Sequence, residues 1–488
     1  MLAVVLMTAA ATGAPRPPAL EVQDVGDEQI TGWLEGLLRE DPRIEASRII
    51  VTTRHGFVEL SGTVHSLPAR SFIELAAQRI SGVRGVINNI EVAPPRRDDS
   101  EIAGDVLRRL SANSVLRVTG IVVRSRDGAV SLLGEVTDRS RRDEAGAVAS
   151  EVRGVRSVSN ALRIAGRAPR SDVELIRLVA AVLDRDAYLA GFPINVSVRD
   201  GRVVLSGTVA NAFAKTRAER RADNVVGVRG VENRLHIEPG SKRVMRQRQV
   251  RPADGDVRRT VIAELDSDGR VDSSSLSVDV SHGAVVLDGT VASYYQKVIA
   301  ERDARQVNGV RHVVNSLEVD PSRTDDRRIA EEVRSSLESD GALTGSRIDV
   351  GVSSGVVTLS GAVAGRYAKL HAEEVASRPL GVRRVVNLLG WSPSDRPSNA
   401  ELEREIGERL ASDWLTAPMR VRIGVSVLDG IATLTGRVEL WAERCEAARV
   451  AIATRGVWLV DNELRVVGQP FPLDRWYSEA DFLFDPWY

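Results

Sequence analysis

Six times along this 488-residue chain the same spaced set of residues recurs without slipping register. A glycine stands at Gly62, Gly134, Gly207, Gly289, Gly361 and Gly436, and six positions before each lies another, at Gly56, Gly128, Gly201, Gly283, Gly355 and Gly430. Between and just after them the pattern reads G-x-V-x-L-x-G-x-V, with Ala432 replacing the first valine in the last copy. Downstream come an alanine (Ala77, Ala149, Ala222, Ala304, Ala376, Ala451), a Gly-Val pair, and an asparagine (Asn88, Asn160, Asn233, Asn315, Asn387, Asn462). Successive copies lie 72 to 82 residues apart, so the unit is a small domain copied in tandem.

Periodicity identifies the elements of the unit. Apolar residues spaced four apart (Ile30-Leu34-Leu38, Ile102-Val106-Leu110, Leu175-Val179-Leu183, Val257-Val261-Leu265, Ile329-Val333-Leu337) put one apolar stripe on a first helix. The sixth copy carries Leu402-Ile406-Leu410, displaced by two residues. Alternating runs such as Val196-x-Val198 then lead into Asp127-Gly128, Asp200-Gly201 or Asp429-Gly430 and a second alternation, which is a hairpin signal. In that second strand Val203, Leu205, Gly207 and Val209 share a face, and a glycine there suits a place where another backbone crosses closely. A second helix follows, with Ala218 and Ala222 as small packing contacts, and the Gly-Val pair is read as its terminator. A last strand carries Val231 and Leu235. The unit is therefore helix-strand-strand-helix-strand: an α+β domain with a three-stranded sheet and two helices on one face.

Composition bounds the function. Aromatics are only 4%, so the cores must be aliphatic. With 66 basic and 67 acidic residues, the whole-chain charge gives no reason to expect nucleic-acid binding. The single cysteine, Cys445, excludes a disulfide framework and any multi-cysteine metal site, and is read as a small apolar residue on a helix. His55, His65, His236, His282, His312 and His371 fall at different places in different copies, and none has a histidine at helical spacing. No zinc-protease, nucleophile-elbow or phosphate-loop pattern occurs. Neither catalysis, nor a metal, nor a cofactor, nor a small-molecule substrate is expected.

Residues 1–26 read as a signal segment and linker: Leu2 to Gly13 are uncharged and mostly apolar, end in small residues, and are too short to span a bilayer comfortably. That places the chain in the periplasm or cell envelope, with a cytoplasmic location as the alternative.

The glycine, alanine, Gly-Val and asparagine spacing resembles the BON domain, the bacterial osmotically inducible and nodulation module. The copies are bounded at 27–92, 99–165, 171–238, 254–320, 324–390 and 399–467. The resemblance implies an αββαβ fold, a setting in the periplasm or envelope, contact with phospholipid surfaces, osmotic-stress protection, and no catalytic residues.

Binding must then be sought in what the copies do not share. The basic linker 239–253 carries Lys242, Arg243, Arg246, Arg248 and Arg251, a candidate for an anionic surface. The tail 468–488 is acidic and aromatic; Trp476, Tyr477, Phe482, Phe484, Trp487 and Tyr488 are candidates for docking a partner, or else for folding back on the sixth copy. The variable faces of the second helices are a third candidate. Two Gly-Val-Arg-Gly stretches, 82–85 and 227–230, mimic an RNA-binding loop, but only two copies have them and the match is read as coincidence. The expectation is an extended, multivalent, non-enzymatic binder of phospholipid or envelope surface. The alternative is a protein scaffold that uses sheet edges and the tail.

Overall fold

The computed structural model describes residues 25–466, apart from 41–43, 45–47, 117–119, 166–169, 239–252, 321–324, 391–396, 439–440 and positions 187, 226, 308 and 311, together with residues 476–478. In the first unit a helix (Asp27–Glu40) precedes a hairpin (Ile49–Arg54 and Phe57–Val64), a second helix (Leu67–Arg79) and a third strand (Gly85–Val92). The hairpin's second strand is central: it runs antiparallel to the first, with Val51 opposite Leu60, and parallel to the third, with Leu60 opposite Asn88. The other five units repeat this order, and units 4 and 6 divide the third strand into two short pieces. The expected α+β unit is the observed one.

Each unit has its own aliphatic core. In the first, Ile30, Leu34 and Leu38 of the helix stripe meet Val58 and Leu60 of the central strand, and all five are essentially buried. The alternate residues Phe57 and Glu59 point to the opposite, exposed face. Helices thus cover one side of each sheet and leave the other to solvent.

Three recurring details explain the signature. At the hairpin tip His55 (φ 52°) and Gly56 (φ 77°) are both left-handed, the type I′ geometry that matches strand twist. Asp172, at the start of the third unit's first helix, accepts the tip amides of Asp200 and Gly201, both at 2.9 Å. Asp27, Asp99, Asp254 and Asp326 do the same in their units, whereas the sixth helix begins at Asn399. The amides of Gly56 and His55 accordingly hold Asp27 below the usual carboxylate range.

At the central glycine the expected close crossing is real. A Cβ on Gly207 would lie 1.9 Å from the carbonyl oxygen of Pro193, and its φ is +123°. The asparagine joins helix to strand: Asn233 Nδ2 donates to the Lys215 carbonyl at 2.8 Å, while Oδ1 accepts from Leu235 N–H at 3.2 Å.

The Gly-Val pair differs from expectation. The second helix of the first unit ends at Arg79, and Gly82 (φ 88°) lies three residues on, in the following turn. A Cβ there would press on Val25 at 3.0 Å and on the Ile30 side chain at 3.3 Å, so the glycine makes room for the first helix rather than stopping the second.

Candidate interaction surfaces

Within two residues of the end of the first helix in units 2 to 6 stands a residue that the shared signature does not include. Asn113, Asp186, Asp268, Asp340 and Asp413 each accept, through a side-chain oxygen, the backbone N–H two residues on, at 2.8 to 3.0 Å. Such Asx turns bend the chain away from the helix and turn its backbone outward. At Asn113, Asp186, Asp340 and Asp413 that backbone pairs with another unit. Asn113 bridges Pro379 and Val152 bridges Asp340, which joins units 2 and 5 reciprocally. Ile80 bridges Asp413, joining units 1 and 6, and Asp186 bridges Val307, joining units 3 and 4. The pairing is nested, with the innermost units adjacent in sequence and the outermost at the two ends.

Ion pairs bury themselves at these junctions. Between units 2 and 5, Arg109 donates to Asp340 at 2.9 Å and to Glu151 at 2.6 Å. Arg378 donates to the same Glu151 at 2.5 Å, and His371 lies 2.9 Å from Asp340. Between units 1 and 6, Arg79 and Arg449 share Glu446, with Asp413 beside them. Between units 3 and 4, Arg221 links Asp186 at 3.2 Å to Glu264 at 2.7 Å.

Their protonation follows from this packing. Burial opposes the charged form of Asp340, but His371 and Arg109 outweigh it and hold the carboxyl well below its usual range. Burial likewise pulls the His371 imidazole down, and Asp340 more than reverses that, leaving its pKa raised. Burial and the neighbouring Glu446 push the Asp413 carboxyl up to about 7, while the two arginines outweigh burial at Glu446 and lower it. Burial and Asp268 push Asp303 up to about 7 despite Arg302 at 3.0 Å.

Glu151, Asp340 and His371 offer one ligand atom each within 4.8 Å of one another, a spacing that could hold a cation. The chemistry does not suit one. Arg109 and Arg378 already occupy both carboxylates, and a metal ion would have to displace or sit beside two fixed positive charges. The trio is an ion-pair junction between two units.

The second helices also meet one another, which corrects the expectation of an extended binder reading ligands with those faces. Leu67 and Leu75 of unit 1 pack against the cores of units 2 and 3. Arg139 of unit 2 pairs with Asp223 of unit 3, and Tyr188 and Phe213 of unit 3 lie against Trp414 of unit 6. Ala212 N–H of unit 3 donates to Val83 O of unit 1 at 3.3 Å, and Tyr294 N–H of unit 4 repeats this bond on Val382 O of unit 5 at 2.7 Å. The variable side chains of these helices serve association between units.

What remains open is the outer face of each sheet. Strand register places Arg124, Arg126 and Arg163 on that face in unit 2, with Glu135, and Arg199, Arg202 and Arg234 in unit 3, with Glu232. All six arginines are exposed. The corresponding strands of unit 4 carry Asp279, Asp288 and Glu318 and no lysine or arginine. The balanced total therefore conceals a polarised surface.

Of the residues singled out by sequence, Lys242, Arg243, Arg246, Arg248 and Arg251 lie outside the described residues, as do Phe482, Phe484, Trp487 and Tyr488. Trp476 and Tyr477 belong to a short strand that pairs antiparallel with the third strand of unit 6, Val460 opposite Tyr477. Cys445 is half-buried on the last helix. Among the described residues no helix is long and apolar enough to cross a membrane.

Comparison with known proteins agrees with the repeat. A family model described as the BON domain matches residues 26–94, 98–166, 171–239, 253–321, 325–393 and 398–468. Osmotically-inducible protein Y of Escherichia coli (strain K12) is 31% identical over 173 residues, covering 34% of this chain and 83% of that protein. Outer membrane lipoprotein DolP of Haemophilus influenzae is 28% identical over 140 residues, covering 28% and 72%. A solved structure of CdsD, titled a structural protein of the type III secretion system of Chlamydia trachomatis, aligns at 20% identity over 43% of this chain and 91% of its own; its TM-score of 0.13 carries no argument.

Proposed function

We propose, on the premise that this chain belongs to the BON domain family with six copies of the domain, that it is a non-enzymatic binding protein of the bacterial cell envelope, meeting anionic phospholipid or envelope surface through several weak sites at once. The relatives' printed names, one osmotically inducible and one an outer membrane lipoprotein, support an envelope setting and a part in osmotic or envelope stress. The observation that carries the reading is the polarity of the assembly. Helices are spent on joining the units, and the sheets of units 2 and 3 turn six exposed arginines outward against two glutamates. Near an anionic membrane each such charge contributes about 1 kcal/mol, and linked sites combine through effective concentration. The basic linker, with Lys242, Arg243, Arg246, Arg248 and Arg251, would add to the same attraction.

Co-sedimentation of the full chain with vesicles tests this. Binding to vesicles rich in phosphatidylglycerol should exceed binding to pure phosphatidylcholine and weaken steeply between 50 and 300 mM salt (on the order of the screening range). The quadruple change Arg124→Gln, Arg126→Gln, Arg199→Gln and Arg202→Gln should remove most of it. Lack of any salt-sensitive binding refutes the reading. The alternative, a protein scaffold using sheet edges and the tail, gains support from the strand that the tail adds to unit 6.

A further inference from the structure

In units 1 to 5 the sheet ends on its third strand, and no further strand pairs with that edge among the described residues. An open edge is a template for another strand. In units 1, 2 and 3 that edge borders eight-residue strands; side chains meet part of it, Arg70 and Arg142 on the Asn88 and Asn160 carbonyls and the asparagine Oδ1 atoms on the amides of Ile90, Leu162 and Leu235, but no strand does. Unit 6 differs. There residues 476–478 lie antiparallel along Leu459–Asp461, making the sheet one strand wider.

Burial follows the added strand. Asp461 is 5% exposed, whereas the residue at the same place in unit 1, Ile87, is 52% exposed. Its neighbour Val460 faces the core and is buried regardless, as Val313 and Val385 are in units 4 and 5. Unit 6 therefore has a third strand built to lie inside a sheet, and the chain supplies the missing neighbour from its own end.

That neighbour is held by a short pairing. Three residues register against the edge, and nine residues separate them from the last strand piece of unit 6. Main-chain bonds of this kind give affinity without demanding one sequence. A tethered strand acts as its own competitor, because a short linker sets an effective concentration on the order of millimolar.

We infer that the third-strand edge of unit 6 is a strand-docking site, occupied in the resting chain by Trp476–Ser478 and open, once that segment lifts away, to the same acidic aromatic segment of a second copy. The inference is independent of the anionic-surface reading, since it needs neither lipid nor the outer arginines. It makes that segment a removable cover and gives the protein a route to association of two copies through reciprocal exchange of the segment between their sixth units.

A labelled peptide spanning residues 470–488 is the probe, titrated against the full chain and against the full-chain variant Tyr477→Pro. Proline cannot join the ladder and should free the edge. The variant should bind the peptide saturably, and the native chain at least tenfold more weakly because its own tail competes. Hydrogen exchange should show the amide of Val460, which faces the added strand, protected in the native chain, exposed in Tyr477→Pro, and protected again when peptide is added. The same peptide carrying proline at position 477 should not bind. Two results overturn the inference. One is a variant whose Val460 amide stays protected; the other is an exposed edge that fails to take up the peptide. An edge that accepts an unrelated extended peptide equally well removes the tail specificity and overturns tail exchange.

Discussion

Arg109 of unit 2 donates to Asp340 of unit 5 at 2.9 Å, and both side chains are almost wholly shielded from water. The carboxylate also receives His371, so a single acid holds two cationic partners from two units. Asp340→Ala leaves both without it. Breaking a buried pair on one side typically costs about 3–5 kcal/mol. Chemical denaturation should show a loss of that size, while Arg404→Ala, which removes an exposed helical pair with Glu408, should leave the midpoint where it was. Equal midpoints for native protein and Asp340→Ala would show that the junction does not hold the units together.

Stability should fall as pH rises from about 5 to 8. A raised His371 contributes stability that is complete below its unfolded pKa and is lost as pH climbs through the folded value. Asp303 and Asp413, both raised to about 7, act in the same direction, because the folded state keeps their protons between about 4 and 7. Asp340 and Glu446 are lowered, so their contribution is present above their unfolded pKa and is lost only as pH drops further. A melting-temperature profile should peak in mild acid, and Asp303→Asn should flatten its decline. A profile that climbs from pH 5 to 7 would contradict this assignment.

Two glycine substitutions separate backbone demand from mere smallness. Gly207→Ala puts a methyl group 1.9 Å from a carbonyl oxygen at a left-handed φ and should lower stability by at least about 3 kcal/mol. Gly230→Ala meets no atom within 4 Å and should stay within about 0.5 kcal/mol of native. Thermal denaturation of the two variants side by side is sufficient; similar losses would mean that the close crossing is not what selects glycine.

Asp172→Ala removes the acceptor for two hairpin-tip amides and should cost about 1–2 kcal/mol. The local sign is faster hydrogen exchange at Asp200 and Gly201. Unchanged exchange there would mean that the turn holds its shape without the helix.

The unit was readable because its rules are local and periodic. Leu175, Val179 and Leu183 declare a helix stripe by spacing, and Asp200-Gly201 declares a turn by its φ demands. The asparagines stand in a visible column, and the fold adds that Asn233 spans from helix to strand. Association between units was harder to see. It rests on residues that vary from copy to copy: His371, Arg217 and Glu446 stand at equivalent points of their second helices, and reading each helix alone makes them look like solvated surface. One signal was available. Aligning the copies by their first helices puts Asn113, Asp186, Asp268, Asp340 and Asp413 in a single column, which marks the turn where units meet.

Nested partnership also dictates a timetable. The ribosome completes units 3 and 4 consecutively, so the inner pair can close while the chain is still growing. Unit 1 emerges first and is matched last: Arg79 must wait 367 residues for Glu446. Until then Arg79 lacks that acid, although Leu67 and Leu75 of the same helix already have units 2 and 3 to pack against. The junction between the first and sixth units can therefore close only after the sixth has emerged, whatever the order of the rest.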